Sequence, residues 1–144
     1  MMKIAIVGAV LLLFNFTVQA QYTEKIPVNI HWNQPDTLFF DGYDKNTRLH
    51  FEGAVYEDML SEIPYFVNTF PVFDDQLEAE VQIINEIVET LPTPEEKLID
   101  KKELTDQFTI QSQLLISREI PYLQLKLNPL RLHKGKIERL VSAE

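Results

Sequence analysis

The clearest alternation of apolar and polar residues lies near the C-terminus of the chain. Leu123, Leu125 and Leu127 alternate with polar residues, and a period of two is typical of a β-strand with one buried face. We therefore expect Leu125 and Leu127 to face the core and Lys126 to face solvent.

A β-hairpin is predicted to follow this strand. Lys134–Gly135 fits a two-residue turn, because glycine readily adopts the positive φ angle that such turns need. The turn places Leu132 opposite Ile137 and Arg131 opposite Glu138, and both pairs are favourable cross-strand neighbours.

The second arm of the hairpin, Lys136–Ser142, is predicted to have a partner strand on one side only. The sequence stops at Glu144 with neither a turn nor a polar tail after the arm. We expect a downstream domain to follow in a longer polypeptide. The uncovered edge of this strand is expected to make the isolated chain self-associate.

Further patterns indicate a mainly β, antiparallel, β-sandwich-like fold in a single domain. Apolar and polar residues alternate over Ile26–Trp32 and predict a first strand. Residues Asp41–Asn46 have the composition of a turn. Prolines in Ile63–Val67 and Phe70–Phe73 confine these two segments to sheet edges, strand starts or irregular segments.

Residues 74–91 fit two interpretations. Apolar residues recur there at helical spacing, at Leu77, Val81, Ile84, Val88 and Leu91. Residues 79–83 also alternate at the period of a strand, and β-branched residues are frequent up to residue 88. The residues alone leave the choice between helix and strand open.

A short helix is predicted near residues 94–100. Thr93 fits its N-cap, Pro94 its first position and Glu96 its third, an arrangement that is common at helix starts. One or two helical turns through Asp100 would then connect to the last strands.

Residues 1–20 have the pattern of a secretory signal peptide. A positive start at Lys3 precedes an apolar run over Ile4–Phe14, and Val18–Ala20 offers a cleavage site. The run is shorter than the roughly 20 residues that span a membrane. We expect export through the inner membrane, to the periplasm or the outer-membrane surface, and a mature domain over residues 21–144.

Acidic residues outnumber basic ones. The formal charge is −9, and loss of Lys3 with the signal peptide makes it one unit more negative. Such a surface disfavours nucleic acid and anionic membranes as partners. The sequence contains no cysteine, which excludes disulfides, thiol nucleophiles and zinc–thiolate sites.

The remaining polar residues predict no metal site, no cofactor and no catalytic residue. His31, His50 and His133 lack the spacing of a helical metal pair. No serine lies in a nucleophile-elbow sequence. Three aspartates crowd one loop region without the order of an EF-hand calcium loop; they are Asp36, Asp41 and Asp44.

Five short segments carry a resemblance to a known family. They are Phe51–Tyr56, Ile63–Phe66, Arg118 with Pro121–Tyr122, Asn128–Arg131 and Ile137–Ser142. In order and spacing they resemble the N-terminal region of the type IX secretion system sortases (PorU), which are relatives of the gingipain cysteine peptidases. The resemblance spans residues 26–144.

This resemblance implies a β-rich domain that precedes a peptidase domain, and it favours a strand for Val81–Leu91. In that family a cysteine nucleophile and a histidine remove the C-terminal sorting domain of cargo proteins and transfer the cargo to anionic lipopolysaccharide at the outer membrane. Because this sequence has no cysteine, no catalytic residue of the family maps onto it. The chain is predicted to be a noncatalytic N-terminal domain whose partners are the downstream peptidase domain and outer-membrane secretion components.

The candidate partner contacts are Tyr65, Phe66 and Phe70, in the proline-broken segment Ile63–Pro71. Core packing is the ordinary role of aromatic side chains, whereas an apolar loop at the surface would dock another domain. Two other functions stay open: an autonomous exported β-sandwich binding module, and a small secreted enzyme. A reading frame that continues past Glu144 into a peptidase domain would distinguish the sortase domain from the autonomous module.

Overall fold

The computed structural model describes residues 24–34, 36–40, 43–58, 60–72 and 80–144. The predicted signal peptide lies outside these residues, as does the beginning of the segment that fits both helix and strand.

The described chain is mainly β with antiparallel sheets, which confirms the predicted fold class. Its elements in chain order are β1 Val28–Asn29, β2 Asp36–Phe40, β3 Tyr43–Arg48, β4 Phe66–Pro71, β5 Ile87–Thr90, helix α1 Thr93–Glu96, a 3-10 helix Lys101–Glu103, β6 Thr109–Ser117, β7 Ile120–Asn128, β8 Leu130–His133 and β9 Lys136–Ala143.

Strand β9 is the centre of a four-stranded sheet. Arg139 pairs with Glu89 of β5 and also with Leu130 of β8, so these two strands lie along opposite edges of β9. Strand β1 lies along the same edge of β9 as β8, further towards the C-terminus of β9, where Val28 pairs with Ala143. The prediction that this last strand has a partner on one side only is therefore wrong, because distant segments that the local pattern does not indicate cover its second edge.

The predicted hairpin between β8 and β9 is confirmed in register. Leu132 lies opposite Ile137 and Arg131 opposite Glu138. The φ angles of Lys134 and Gly135 are 49° and 76°, as a two-residue turn with two left-handed positions requires. The local turn chemistry was enough to fix this pairing.

The first predicted strand is confirmed in its burial pattern, although its regular pairing is short. Burial alternates from Ile26 to Trp32 as predicted, with Ile30 the most buried residue. Regular pairing covers β1 alone, and the Ile30 N–H then donates to the carbonyl of Val141 at 2.8 Å. Trp32 forms an isolated bridge with Phe51.

Strand β3 occupies most of a segment that was predicted to be a turn. Asn46 pairs with Leu38 and Tyr43 pairs with Phe40 of β2. The turn prediction is therefore wrong for residues 43–46, since cross-strand pairing outweighs the turn preference of their side chains.

The described part of the segment with two interpretations contains a strand and no helix. Regular pairing begins at Ile87, and the preceding residues 80–86 have no regular structure. Asn85 has a φ angle of 53°, which neither a helix nor a regular strand accommodates. The preference for a strand is thus confirmed for Ile87–Thr90, and the strand starts later than predicted.

The predicted short helix is present as α1, with its cap one residue earlier than expected. The carbonyl of Pro92 accepts hydrogen bonds from the N–H groups of Glu95 and Glu96, so Pro92 is the N-cap. Thr93 was predicted for that position and is instead the first helical residue. The helix also ends at Glu96, and Asp100 then caps the 3-10 helix by accepting from the Lys102 N–H at 3.0 Å.

Two adjoining clusters of buried side chains form the core. The first contains Leu49, Ile63, Leu91, Ile99, Leu104, Leu130 and Ile137. The second contains Ile30, Phe51, Phe108, Leu127, Leu140 and Ala143. Trp32 packs against both clusters, and its ring meets that of Phe51 edge to face with centroids 5.0 Å apart. This tryptophan therefore joins the two halves of the core.

Candidate interaction surface

One face of the three-stranded sheet β4–β7–β6 is apolar along most of its length. Leu127 pairs with Phe66 on one side and Ile110 on the other, so these side chains share a face. The same register continues at every second residue. We call this surface the apolar face; it consists of Phe66, Phe70, Ile110, Leu114, Ile116, Leu123, Leu125 and Leu127.

Burial of the apolar face falls from its inner to its outer end. Leu127 is 4% exposed and belongs to the second core cluster, against which Phe66 and Ile110 also pack. Leu125 is half-buried, and Ile116 is 63% exposed. The prediction that Leu125 is a core residue on a par with Leu127 is therefore wrong. Apolar area that the described residues leave uncovered is typical of surfaces that bind a partner.

The row of residues around Leu125 explains where the core stops. Its cross-strand neighbours are Asn68 on β4 and Ser112 on β6. These polar side chains separate the buried row at Leu127 from the next apolar row, at Leu123. The outer part of the face is therefore a distinct apolar area and not the rim of the core.

The opposite face of this sheet is polar around Lys126. The Lys126 Nζ lies 2.7 Å from the Glu57 carboxylate and 4.0 Å from the centroid of the Tyr65 ring. Burial raises the pKa of the Tyr65 phenol, and the nearby Glu57 raises it further, while Lys126 acts in the opposite direction. In β4, β6 and β7 the charged side chain Lys126 therefore lies on this face, and the apolar face carries no charged side chain.

The three predicted contact residues do not form a surface loop. Ile63 and Pro64 are buried, and the residues after them extend into β4. Phe66 and Phe70 belong to the apolar face, whereas Tyr65 packs against the first core cluster and lies beside Lys126. The loop conformation is wrong because β7 pairs with the whole of β4. Contact of these residues with a partner stays a prediction.

Two residues of the apolar face on β6, Leu114 and Ile116, were not predicted from the sequence. A signal was present, since residues 108–117 contain no charged side chain. An uncharged strand at the edge of a sheet is unusual, because natural edges commonly carry charges that discourage pairing.

A polar cluster surrounds Tyr56 at the end of β3. The Tyr56 hydroxyl donates to the Leu49 carbonyl at 2.6 Å and lies 3.1 Å from His50 Nδ1. Because the Tyr56 hydroxyl proton is already donated to the Leu49 carbonyl, His50 Nδ1 is the donor in its bond with the hydroxyl oxygen. The Arg48 guanidinium carbon sits 3.4 Å from the centroid of the Tyr56 ring. These contacts hold the segment that follows β3 against Tyr56. They give His50 a structural role as the hydrogen-bond partner of Tyr56.

Metal-binding groups were not predicted. Within the described ranges, no three His, Asp or Glu side chains gather in a way that could hold a metal. The side chains of Asp36, Asp41 and Asp44 lie outside the described residues.

Two largely buried arginines stabilise the four-stranded sheet. Arg131 contacts Glu86 and Glu138 at 2.7 and 2.8 Å, and Arg139 contacts Glu95 at 3.1 Å. Burial lowers the pKa of Arg131, but hydrogen bonds to the two carboxylates outweigh burial and raise it overall. Because carboxylates on neighbouring segments neutralise both guanidinium groups, we assign the two arginines to the fold and not to a binding site.

Comparisons with protein families, with curated proteins and with solved structures find no match to this chain. Among the described residues, no helix is both long and apolar enough to cross a membrane.

Proposed function

We propose that the chain is a noncatalytic, exported β domain of a type IX secretion system sortase. In this role it positions the peptidase domain that follows it in the same polypeptide. The whole protein would process cargo proteins and anchor them at the outer membrane, close to other secretion components.

The observation that carries the proposal is the placement of the segments that resemble this family. Among the residues whose burial the structure describes, six of the seven largest fully buried side chains fall within them, Leu49 being the exception. The six are Phe51, Pro64, Pro129, Leu130, Ile137 and Leu140. Segments far apart in sequence therefore supply one core, which supports reading them as parts of a single inherited fold and not as chance matches.

The outer part of the apolar face is the surface that we assign to the peptidase domain. It places Phe70, Leu123 and Leu114 side by side without a charged residue. Covering this area would contribute on the order of 25 cal/mol for each Å² of apolar surface buried. A domain tethered in the same chain has a high effective concentration, so a modest contact area is enough to hold it.

The first test is the reading frame beyond Glu144, which is expected to encode a peptidase domain with a cysteine and a histidine. Binding of that domain to residues 21–144, added as a separate chain, is then measured by calorimetry. Leu123→Ser is expected to weaken binding at least tenfold. The control Gln124→Ser, the next residue of the same strand on the polar face, is expected to leave binding unchanged.

Two results would contradict the proposal. A stop codon directly after Glu144 would favour an autonomous exported binding module. Equal loss of binding in Leu123→Ser and Gln124→Ser would show that the apolar face is not the contact.

A further inference from the structure

Strand β6 is a long edge of the three-stranded sheet, and no part of the described chain other than β7 pairs with it. Its residues Thr109–Ser117 pair with β7 along one side. Along the other side, no described residue donates a hydrogen bond to β6 or accepts one from it. An edge of this kind is a template for another strand.

The direction of the backbone groups in this sheet follows from a hydrogen bond at Pro121. The Val72 N–H donates to the Pro121 carbonyl at 3.0 Å, so odd-numbered residues of β7 direct their backbone groups towards β4. Even-numbered residues of β7 therefore face β6, where their partners are odd-numbered, as in the pair Gln124 and Gln113. The residues of β6 whose backbone groups point away from β7 are Ile110, Ser112, Leu114 and Ile116.

The turn between β6 and β7 gives the same assignment independently. Arg118 and Glu119 have φ angles of 50° and 66°, the two left-handed positions of a two-residue hairpin turn. Such a turn is closed by a hydrogen-bonded pair, here Ser117 and Ile120. Ser117 is odd-numbered, in agreement with the direction deduced from Pro121.

The opposite edge of the sheet, on β4, is protected in ways that β6 is not. Tyr65 exchanges backbone hydrogen bonds with Val55 at 2.7 and 2.9 Å. The outward N–H of Thr69 donates to the Asn68 side chain at 2.9 Å, and Pro71 has no N–H to offer. The β6 edge has no proline and no charged side chain. Within the described ranges it is therefore more open to pairing than the β4 edge.

We propose that β6 pairs antiparallel with β6 of a second copy of this chain, about a two-fold axis at Gln113. This register matches all nine residues of the strand. It sets Ile110 opposite Ile116 of the second copy and Ser112 opposite Leu114. All four outward-directed residues then exchange backbone hydrogen bonds, and two three-stranded sheets join into one of six strands.

Burial and charge both favour a second copy as the occupant. Ile116, which is 63% exposed, comes to lie beside the half-buried Ile110 of the second copy. Arg118, directly after β6, comes to lie at the same end of the joined edge as Asp106, three residues before β6 of the second copy. Neither Arg118 nor Asp106 has an ion pair within the described residues, and the two-fold axis creates the pair twice.

Cross-linking tests the register directly, because the chain contains no cysteine. At the axis, Gln113 faces Gln113 of the second copy in a non-hydrogen-bonded pair, where Cβ atoms lie about 4.5–5.5 Å apart. Gln113→Cys is expected to give a disulfide-linked dimer on mild oxidation at micromolar concentration. Gln111→Cys is the matched control on the same face, and its two thiols are too far apart in this register to react.

Sedimentation equilibrium of the purified chain tests the edge itself. Leu114→Pro removes a backbone N–H that points away from β7, so the hydrogen bonds between β6 and β7 are kept. The variant is expected to raise the dimer dissociation constant at least tenfold. Val67→Pro makes the same change on the β4 edge and is expected to leave the constant within about twofold.

Charge reversal identifies the partner as a second copy without relying on a proline variant. Arg118→Glu and Asp106→Arg are each expected to weaken the dimer several-fold, and the double variant is expected to restore it. A chain that stays monomeric at all concentrations would overturn the proposal. Equal cross-linking at positions 111 and 113, or a double variant no better than the single ones, would overturn this register. None of these outcomes depends on a peptidase domain.

Discussion

The indole Nε1 of Trp32 donates a 2.8 Å hydrogen bond to the main-chain carbonyl of Leu140. The bond connects the first strand region with the central strand β9. Since Trp32 also packs against both core clusters, this residue links the central strand to both parts of the core.

We predict that Trp32→Phe lowers the free energy of unfolding by about 1–3 kcal/mol, because the Leu140 carbonyl loses its donor. Urea unfolding measures the change. The control His31→Phe places the same residue at the neighbouring exposed position and is expected to stay within about 0.5 kcal/mol of the wild type. Equal losses in the two variants would show that the hydrogen bond contributes nothing.

Leu127→Ala is expected to cost about 2–5 kcal/mol of stability, the range for a well-buried leucine. Leu125→Ala is expected to cost clearly less, because that side chain is only half-buried and lies between Asn68 and Ser112. Both are compared with Lys126→Ala in urea melts. The distinction between core and outer apolar face fails if the two leucine variants lose the same stability.

Arg139→Gln is expected to destabilise the fold by about 1–3 kcal/mol. The side chains of Arg139 and Glu95 are each only 16% exposed, so the change leaves a largely buried carboxylate without its partner. Glu57→Gln breaks a contact to Lys126 in which Glu57 is 58% exposed, and there the expected change is at most about 1 kcal/mol. Thermal and urea unfolding at two salt concentrations would measure both, and a larger effect at Glu57 would contradict this ranking.

Tyr65 is expected to make the fold sensitive to alkaline pH. Burial, and secondarily Glu57, raise the pKa of its phenol above the ordinary value of 10.0, so the folded chain favours the protonated form. Its contribution to stability is complete below the unfolded pKa and is lost as pH rises through the folded pKa. As pH rises above about 10, urea midpoints should therefore fall more steeply for the wild type than for Tyr65→Phe. Parallel curves would contradict the assignment.

Local patterns by themselves determined the β8–β9 hairpin. Lys134–Gly135 can adopt two left-handed positions at little cost, and alternation of side chains over the flanking residues allows only one register. The inward face of Ile26–Trp32 and the position of the short helix after Leu91 were also evident from sequence. These features depend on residues close together in the chain.

The order of the strands was decided by the tertiary structure. Strand β9 looked like an edge because the residues that cover its second side, in β5, lie some 50 positions away. Leu125 and Leu127 are equivalent in the alternation, yet the core extends to one and not the other, because burial depends on what packs above the sheet. The apolar face likewise exists only once β4, β7 and β6 are aligned.

The sequence thus determined which residues pair across tight turns, which side of a strand is apolar, and that no thiol chemistry is available to this chain. Only the tertiary structure decided which strand is central, where the core ends and which edge stays open. The physical reason is that period and turn chemistry are local properties, whereas burial and edge pairing depend on contacts between segments far apart in the chain.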